Sequence, residues 1–154
     1  MFKRVLLCYD STEAGRRALR RGAELAVQLG AQVHVLSIAG DGVANAAVLA
    51  GAAGQACIVD ESAQYRKLLT ESIEWLKARG VSAEGYLASG GDFIEQIIAY
   101  SNRLNIDLIV LGHYPRPSGG PWWSGSKRAT LTDRVKCCVF VAVSAADELG
   151  SVSK

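Results

Sequence analysis

Two periodicities alternate along the 154-residue chain: short β-branched or aliphatic runs, then longer segments with an apolar residue every three or four positions. The first pattern suits buried strands and the second amphipathic helices, so the alternation predicts βαβ units. Residues 2–8 predict the first strand. Ser11 or Thr12 can then cap a helix that sets Ala14, Ala18, Gly22, Leu25, Ala26 and Leu29 on one face, and Gly30 stops it. Residues 32–38 predict a second strand. The Ala- and Gly-rich stretch 39–59 reads as a long connection with room for a short helix.

From Asp60 or Ser62 a helix carries Tyr65, Leu68, Leu69, Ser72 and Leu76 inward and ends at Gly80, and residues 81–87 predict a third strand. Gly90-Gly91-Asp92 opens the next helix, whose inward stripe is Ile94, Ile97, Ile98, Ser101 and Leu104. Residues 106–111, apolar but for Asp107, form a run suited to a strand buried on both faces, closed by Gly112. A last helix over about 126–135 leads to a fifth strand at 138–143. Residues 1–145 are expected to form one domain, and 146–154 a frayed polar tail. Strands joined by helical crossovers run parallel with right-handed connections. The expected fold is therefore α/β: a doubly wound, open five-stranded parallel sheet of order 3-2-1-4-5, Rossmann-like, with helices on both faces. Ligands of such sheets bind beyond the carboxyl ends of the strands where the winding reverses. That point lies between the first strand, ended by Asp10, and the fourth, ended by Gly112.

Composition changes this picture little. Hydrophobic residues make up 49% and charged residues 21% of the chain, the balance of a globular domain. A formal charge of +2 is too small for a general nucleic-acid or membrane field, so no nucleic-acid or membrane partner is expected. The uncharged stretch 42–59 is mostly Ala and Gly with Asn45 and Gln55 inside, and is not expected to span a bilayer. The apolar run after Arg4 is too short for a signal-peptide core. Cys8, Cys57, Cys137 and Cys138 show no C-x-x-C spacing and fit reduced thiols, which places the expected chain in the cytoplasm. His34 and His113 stand far apart, and no metal site is expected.

The candidate chemistry sits in one segment: Gly112-His113-Tyr114-Pro115, a loop through Arg116, Gly119 and Gly120, then Gly125-Ser126-Lys127-Arg128. Glycines let backbone amides approach a ligand closely. Ser126 at a helix start can offer its hydroxyl while the free amides and dipole of that helix favour phosphate. Arg116, Lys127 and Arg128 add charge. An ordinary Gly-rich loop with a Ser cap and solvated basic residues is the competing reading of the same residues.

Several features together resemble the universal stress protein family, whose signature is G-x2-G-x9-G-[S/T]. They are residues 3–7 leading to Asp10-Ser11, Gly91-Asp92 before Ile97-Ile98, residues 106–112, and Gly125-Ser126 followed by residues 137–143. The resemblance covers nearly the whole chain. It implies a dimer joined through last strands, here Val139 to Val143, and in one branch of the family adenine-nucleotide binding, with ATP and Mg as the cofactor. Position by position it implies that Gly112, Gly125 and Ser126 belong to the signature, that Asp10 lies near the nucleoside, that Ile38 offers a main-chain contact to the base, and that Lys127 gives an amide. His113 and Arg116 complete the expected site. Pro115 departs from the pattern, standing where the second signature glycine belongs. Proline has no N–H for a phosphate and holds φ near −65°. Gly119 and Gly120 restore flexibility a few residues later.

Other readings of single features are weaker. Asp10 as a phosphoacceptor lacks the acidic pair and the later lysine of receiver domains. Ser118-Gly119-Gly120 resembles the loop of ATP pyrophosphatases but follows the wrong strand. Trp122 and Trp123 read as loop aromatics pinning the segment to the domain. Arg16, Arg17, Arg20 and Arg21 read as a solvated helix face, with Arg20 paired to Glu24. No Ser-His-Asp order or carboxylate pair makes a case for an enzyme. The functions in view are a nucleotide-responsive dimeric regulator, a stress module acting through protein contacts, and a weak ATPase or self-kinase.

Overall fold

In a computed structural model, residues 1–10, 13–39, 51–113 and 125–143 are described. Their elements run β1 (Arg4–Tyr9), α1 (Glu13–Leu29), β2 (Gln32–Ala39), α2 (Gly51–Lys77), β3 (Ala83–Ser89), α3 (Phe93–Arg103), β4 (Leu108–His113), α4 (Gly125–Arg134) and β5 (Cys138–Val143). The five strands form one sheet in the order β3-β2-β1-β4-β5, parallel throughout. This is the topology expected from the alternating periodicities.

Strand alternation sends neighbouring residues of β1 into different layers. Val5, Leu7 and Tyr9 join Leu19, Ala23 and Ala26 of α1 and Leu69 and Leu76 of α2. Leu6 and Cys8 join Ile94, Ile97 and Ile98 of α3 and Leu131 of α4. Thus α1 and α2 cover one face and α3 and α4 the other. In β4 the same alternation sends Leu108 and Val110 to the first layer and Ile109 and Leu111 to the second.

Three strands begin and end about two residues later than the apolar runs that predict them. The cause is visible at two of their starts. Val81 and Ile106 are buried apolar residues, but their amides close the preceding helices, Val81 N donating to Leu76 O at 3.2 Å and Ile106 N to Ser101 O at 2.9 Å. Burial starts there, and the strand ladder starts two residues on. Asp107 ties the beginnings of β1 and β4 together, its carboxylate accepting from the amides of Lys3 at 2.8 Å and Arg4 at 3.1 Å.

The largest correction concerns the 39–59 stretch. Its second half is helical, because α2 begins at Gly51 rather than at residue 60 or 62. Alanine favours helix but carries no polar face, so the segment has helix propensity without the periodicity that reveals it. Residues 40–50 lie outside the described residues. A second correction concerns α1. Arg16 is not on a solvated face: it is 9% exposed and pairs with Glu71 of α2, and the Arg20 guanidinium lies 5.7 Å over the Trp75 ring of α2. These positions flank the apolar stripe, and a second helix laid beside α1 turns that flank into a seam.

Glycine is required where α1 crosses β4. A Cβ on Gly22 would lie 2.4 Å from Val110 Cγ1, and one on Gly112 would lie 2.8 Å from Gly15 O and 2.9 Å from Leu19 N. At Gly112 the obstacle is helix backbone, which cannot rotate away. Gly112→Ala is expected to destabilise the domain by about 1–3 kcal/mol through overpacking, measured as a lower denaturant midpoint at unchanged slope.

His34 in β2 is 5% exposed, and burial pushes its imidazole below the ordinary histidine value, opposed by Glu84 and assisted by Arg4. The unfolded chain therefore binds this proton more readily than the native one. Stability is full above the unfolded value of about 6.5 and falls as the pH drops below it. Unfolding midpoints at pH 8 and pH 5 should show the loss, and His34→Gln should lessen it.

Candidate functional site

The crossover from β1 goes to the α1 face and that from β4 to the α4 face, although the two strands are neighbours. At their carboxyl ends the chain therefore parts to both sides and leaves a mouth. The ladder places Cys8 beside Leu111, both in the α3/α4 layer. Two residues further along stand Asp10, just past the end of β1, and His113, the last residue of β4, both half-buried. The β1–β2 ladder ends at Tyr9 and Ser37, whereas the β2–β3 ladder continues to Ala39 and Ser89. The main chain of Ile38 thus lies past the end of β1 on this edge, while its side chain, 2% exposed, belongs to the core.

Crossover topology also brings the start of α4 to this edge. The helix is held to the sheet by Leu131, which is fully buried. It begins at Gly125, so Ser126 is exposed within the first turn rather than at the cap, and the first-turn amides of Gly125, Ser126 and Lys127 have no intrahelical acceptor. The Lys127 ammonium lies 3.7 Å from Asp92 Oδ2. Asp92 is the N-cap of α3, its Oδ1 accepting from Ile94 N at 2.8 Å and Glu95 N at 3.3 Å. At the other end of α4, Arg134 forks onto Glu95, with Nη2 donating to Oε2 at 3.0 Å. The first turns of α3 and α4 are thereby clipped together along the mouth.

Of the expected site residues, Asp10, Ile38, Gly112, His113, Gly125, Ser126 and Lys127 fall at the carboxyl edge. Arg116 lies outside the described residues, as do Pro115, Gly119, Gly120, Trp122 and Trp123. Gly112 has a different reason for being glycine than the one expected, since its Cα is pressed against α1. Asp92 was legible as a helix cap but not as a neighbour of Lys127, because that contact joins residues from separate crossovers. A polar group behind the mouth was also missed. Tyr9 is fully buried on the α1/α2 face with the hydroxyls of Ser37 and Ser72 beside its own. Burial pushes the phenol above its ordinary value, and those two hydroxyls and Arg16 act against it. The signal was polar side chains at inward positions of otherwise apolar elements.

The Cys8 thiol is pushed well up by burial and secondarily by Cys137, and burial raises Cys137 likewise, which leaves both as inert thiols. Among the described residues no group of three or more His, Cys, Asp or Glu is placed to hold a metal ion. Nor is any described helix long and apolar enough to cross a membrane.

A parallel sheet wound to both sides of β1 and β4, open at their carboxyl ends and flanked by a helix start, defines a doubly wound, Rossmann-like α/β domain. The profile of the Universal stress protein family matches residues 1–142, and the chain belongs to that family. Solved structures agree in fold. A universal stress protein family member from Burkholderia pseudomallei superposes with a TM-score of 0.66 at 18% identity, covering 91% of this chain and 95% of that one. A family protein from Arabidopsis thaliana with AMP bound gives 0.64 at 16% identity over 97% of each chain. The universal stress protein of Archaeoglobus fulgidus in complex with dAMP gives 0.56 at 16% identity, covering 92% of this chain and 97% of that one. No curated protein sequence matches this chain.

Replacing the Asp92 cap tests how far the mouth depends on it. Asp92→Ala should cost about 1 kcal/mol, read as a fall of roughly 2–4 °C in Tm for a domain of this size, whereas Asp92→Asn, an equally good cap, should leave Tm nearly unchanged.

Proposed function

We propose that this chain is a dimeric stress-response regulator that binds an adenine nucleotide at the β1–β4 mouth. The observation that carries the reading is the reversal of winding between β1 and β4, which leaves Asp10 and His113 at the carboxyl ends of those strands and the first turn of α4 at the same edge of the sheet. Asp10 is set to accept from a ribose hydroxyl, the main chain of Ile38 to meet the base, and the amides of Gly125, Ser126 and Lys127 to meet phosphate. Related folds that carry AMP, cAMP or dAMP support the ligand class. ATP with Mg is the fullest ligand under this reading, with Arg116 and the Ser126 hydroxyl on the phosphates. The dimer forms through β5, the edge strand, where Phe140 is 43% and Val143 54% exposed. A cytoplasmic location suits the free thiols of Cys8, Cys137 and Cys138.

Pro115 favours a second reading, in which the domain works through protein contacts without a nucleotide, because proline withdraws one amide from the phosphate loop. Denaturing the purified protein and assaying the supernatant for adenine nucleotide, followed by titration of ATP with and without magnesium, separates the two. Binding is expected. Silence at millimolar ATP would leave only the second reading. Ser126→Ala should weaken ATP binding by roughly ten- to a hundred-fold, the range for one lost hydrogen bond to a charged group, and unchanged affinity would remove the role given to that hydroxyl.

A further inference from the structure

Away from the mouth, the β3 side of the sheet carries a chain of polar contacts that ends on a buried imidazole. His34 of β2 stands in the ladder between Leu6 of β1 and Glu84 of β3, and Tyr86 follows Glu84 on the same face. The Tyr86 hydroxyl lies 2.9 Å from Glu84 Oε2 and 3.3 Å from His34 Nδ1. A phenol has one proton, and the shorter contact gives it to the carboxylate. Its oxygen therefore accepts from His34, so the neutral imidazole carries its proton on Nδ1 and takes up a second at Nε2. That ring belongs to a residue only 5% exposed. The charged and titratable groups around it are Arg4 on β1, Glu84 and Tyr86 on β3, and Tyr100 and Arg103 on α3. The last two stand beyond the Tyr86 ring, with the Arg103 guanidinium 4.3 Å over Tyr100 and 5.7 Å over Tyr86. Burial opposes ionisation of His34 most; Glu84, 3.8 Å from Nδ1 with its side chain 59% exposed, favours it, and Arg4 opposes it.

From this geometry we infer that the His34-Tyr86-Glu84 chain makes β3 an acid-labile edge, in which a proton taken up at His34 Nε2 is accommodated by β3 lifting away from β2. The inference is independent of any nucleotide at the mouth. An imidazolium needs water at Nε2, and the sheet can admit water with least loss of packing from its β3 side. Strand β3 has a neighbour on one side only and buries two of its seven residues, whereas β1 is paired on both sides and buries five of six. As β3 lifts, Tyr86 and Glu84 leave with it and the imidazolium is hydrated. The main-chain donors and acceptors of β2 are then bared along a new edge, so a drop in pH becomes a change of surface. At neutral pH the three side chains brace the strand that acid releases.

Amide hydrogen exchange on the full chain at pH 7.5 and pH 5.5, with each rate divided by the intrinsic rate at that pH, tests this. The other edge strand, β5, is the control, since it too is paired on one side only. Protection of the β3 amides is expected to fall by roughly three- to ten-fold between the two conditions while that of β5 holds. Ten-fold is about the limit for a group that titrates near 6.5 when open and stays neutral when closed. An equal fall in both edges, or none in β3, would overturn the inference. Nitrogen NMR of the imidazole at pH 7.5 should find the proton on Nδ1, and a proton on Nε2 instead would break the chain from His34 to Glu84. His34→Gln should erase the pH difference in β3, and an undiminished difference would assign it to another group. If that variant does not fold, the comparison of the two edges and the tautomer in the wild-type chain decide the matter by themselves.

Discussion

The rest of the molecule depends on β1 and β4 being buried on both faces. Val5, Leu6, Cys8 and Tyr9 of β1 and Ile109, Val110 and Leu111 of β4 have no measurable exposure. Two adjacent strands with apolar side chains above and below must each have a helical layer over both surfaces, and a parallel connection supplies one layer at a time. One strand sends its crossover up and the other down. The mouth at their carboxyl ends is a by-product of covering the core. The residues that line it are those that follow immediately when the apolar runs stop.

Fold and site were legible to different depths for the same reason. Apolar periodicity reports burial, so it revealed β2 and β5 closely and the inward stripes of α2 and α3 residue by residue. Burial and hydrogen bonding part company at element ends, as at Val81 and Ile106, and there the strand starts were displaced. It was silent on the first turns of α2, where alanines and glycines carry propensity but no contrast between faces. It also misjudged Arg16, because a position on the flank of a stripe is exposed or buried according to the neighbouring helix, which the local sequence does not contain.

The site shows the same division. Asp10, Gly112 and the Gly125-Ser126 pair are visible because their chemistry is written in consecutive residues, and the topology brings them to one edge. The clip from Lys127 to Asp92, and the Tyr9, Ser37 and Ser72 hydroxyls behind β1, draw on different crossovers. Their proximity is a product of the wound sheet. Short-range pattern can name such residues as polar in an unusual place, but pairing them requires the register.

The crossing of α1 over β4 has a consequence beyond its packing. At Gly112 main chain meets main chain, Gly15 O and Leu19 N on one side and the strand on the other, with no side chain between. Elsewhere the spacing between layers can be adjusted by trading a larger side chain for a smaller one. At Gly112 no side chain remains to trade, so the spacing of helix and strand is fixed there by main chain alone. Any exchange of segments with a related chain would have to move α1 and β4 together, although nearly eighty residues of sequence separate them.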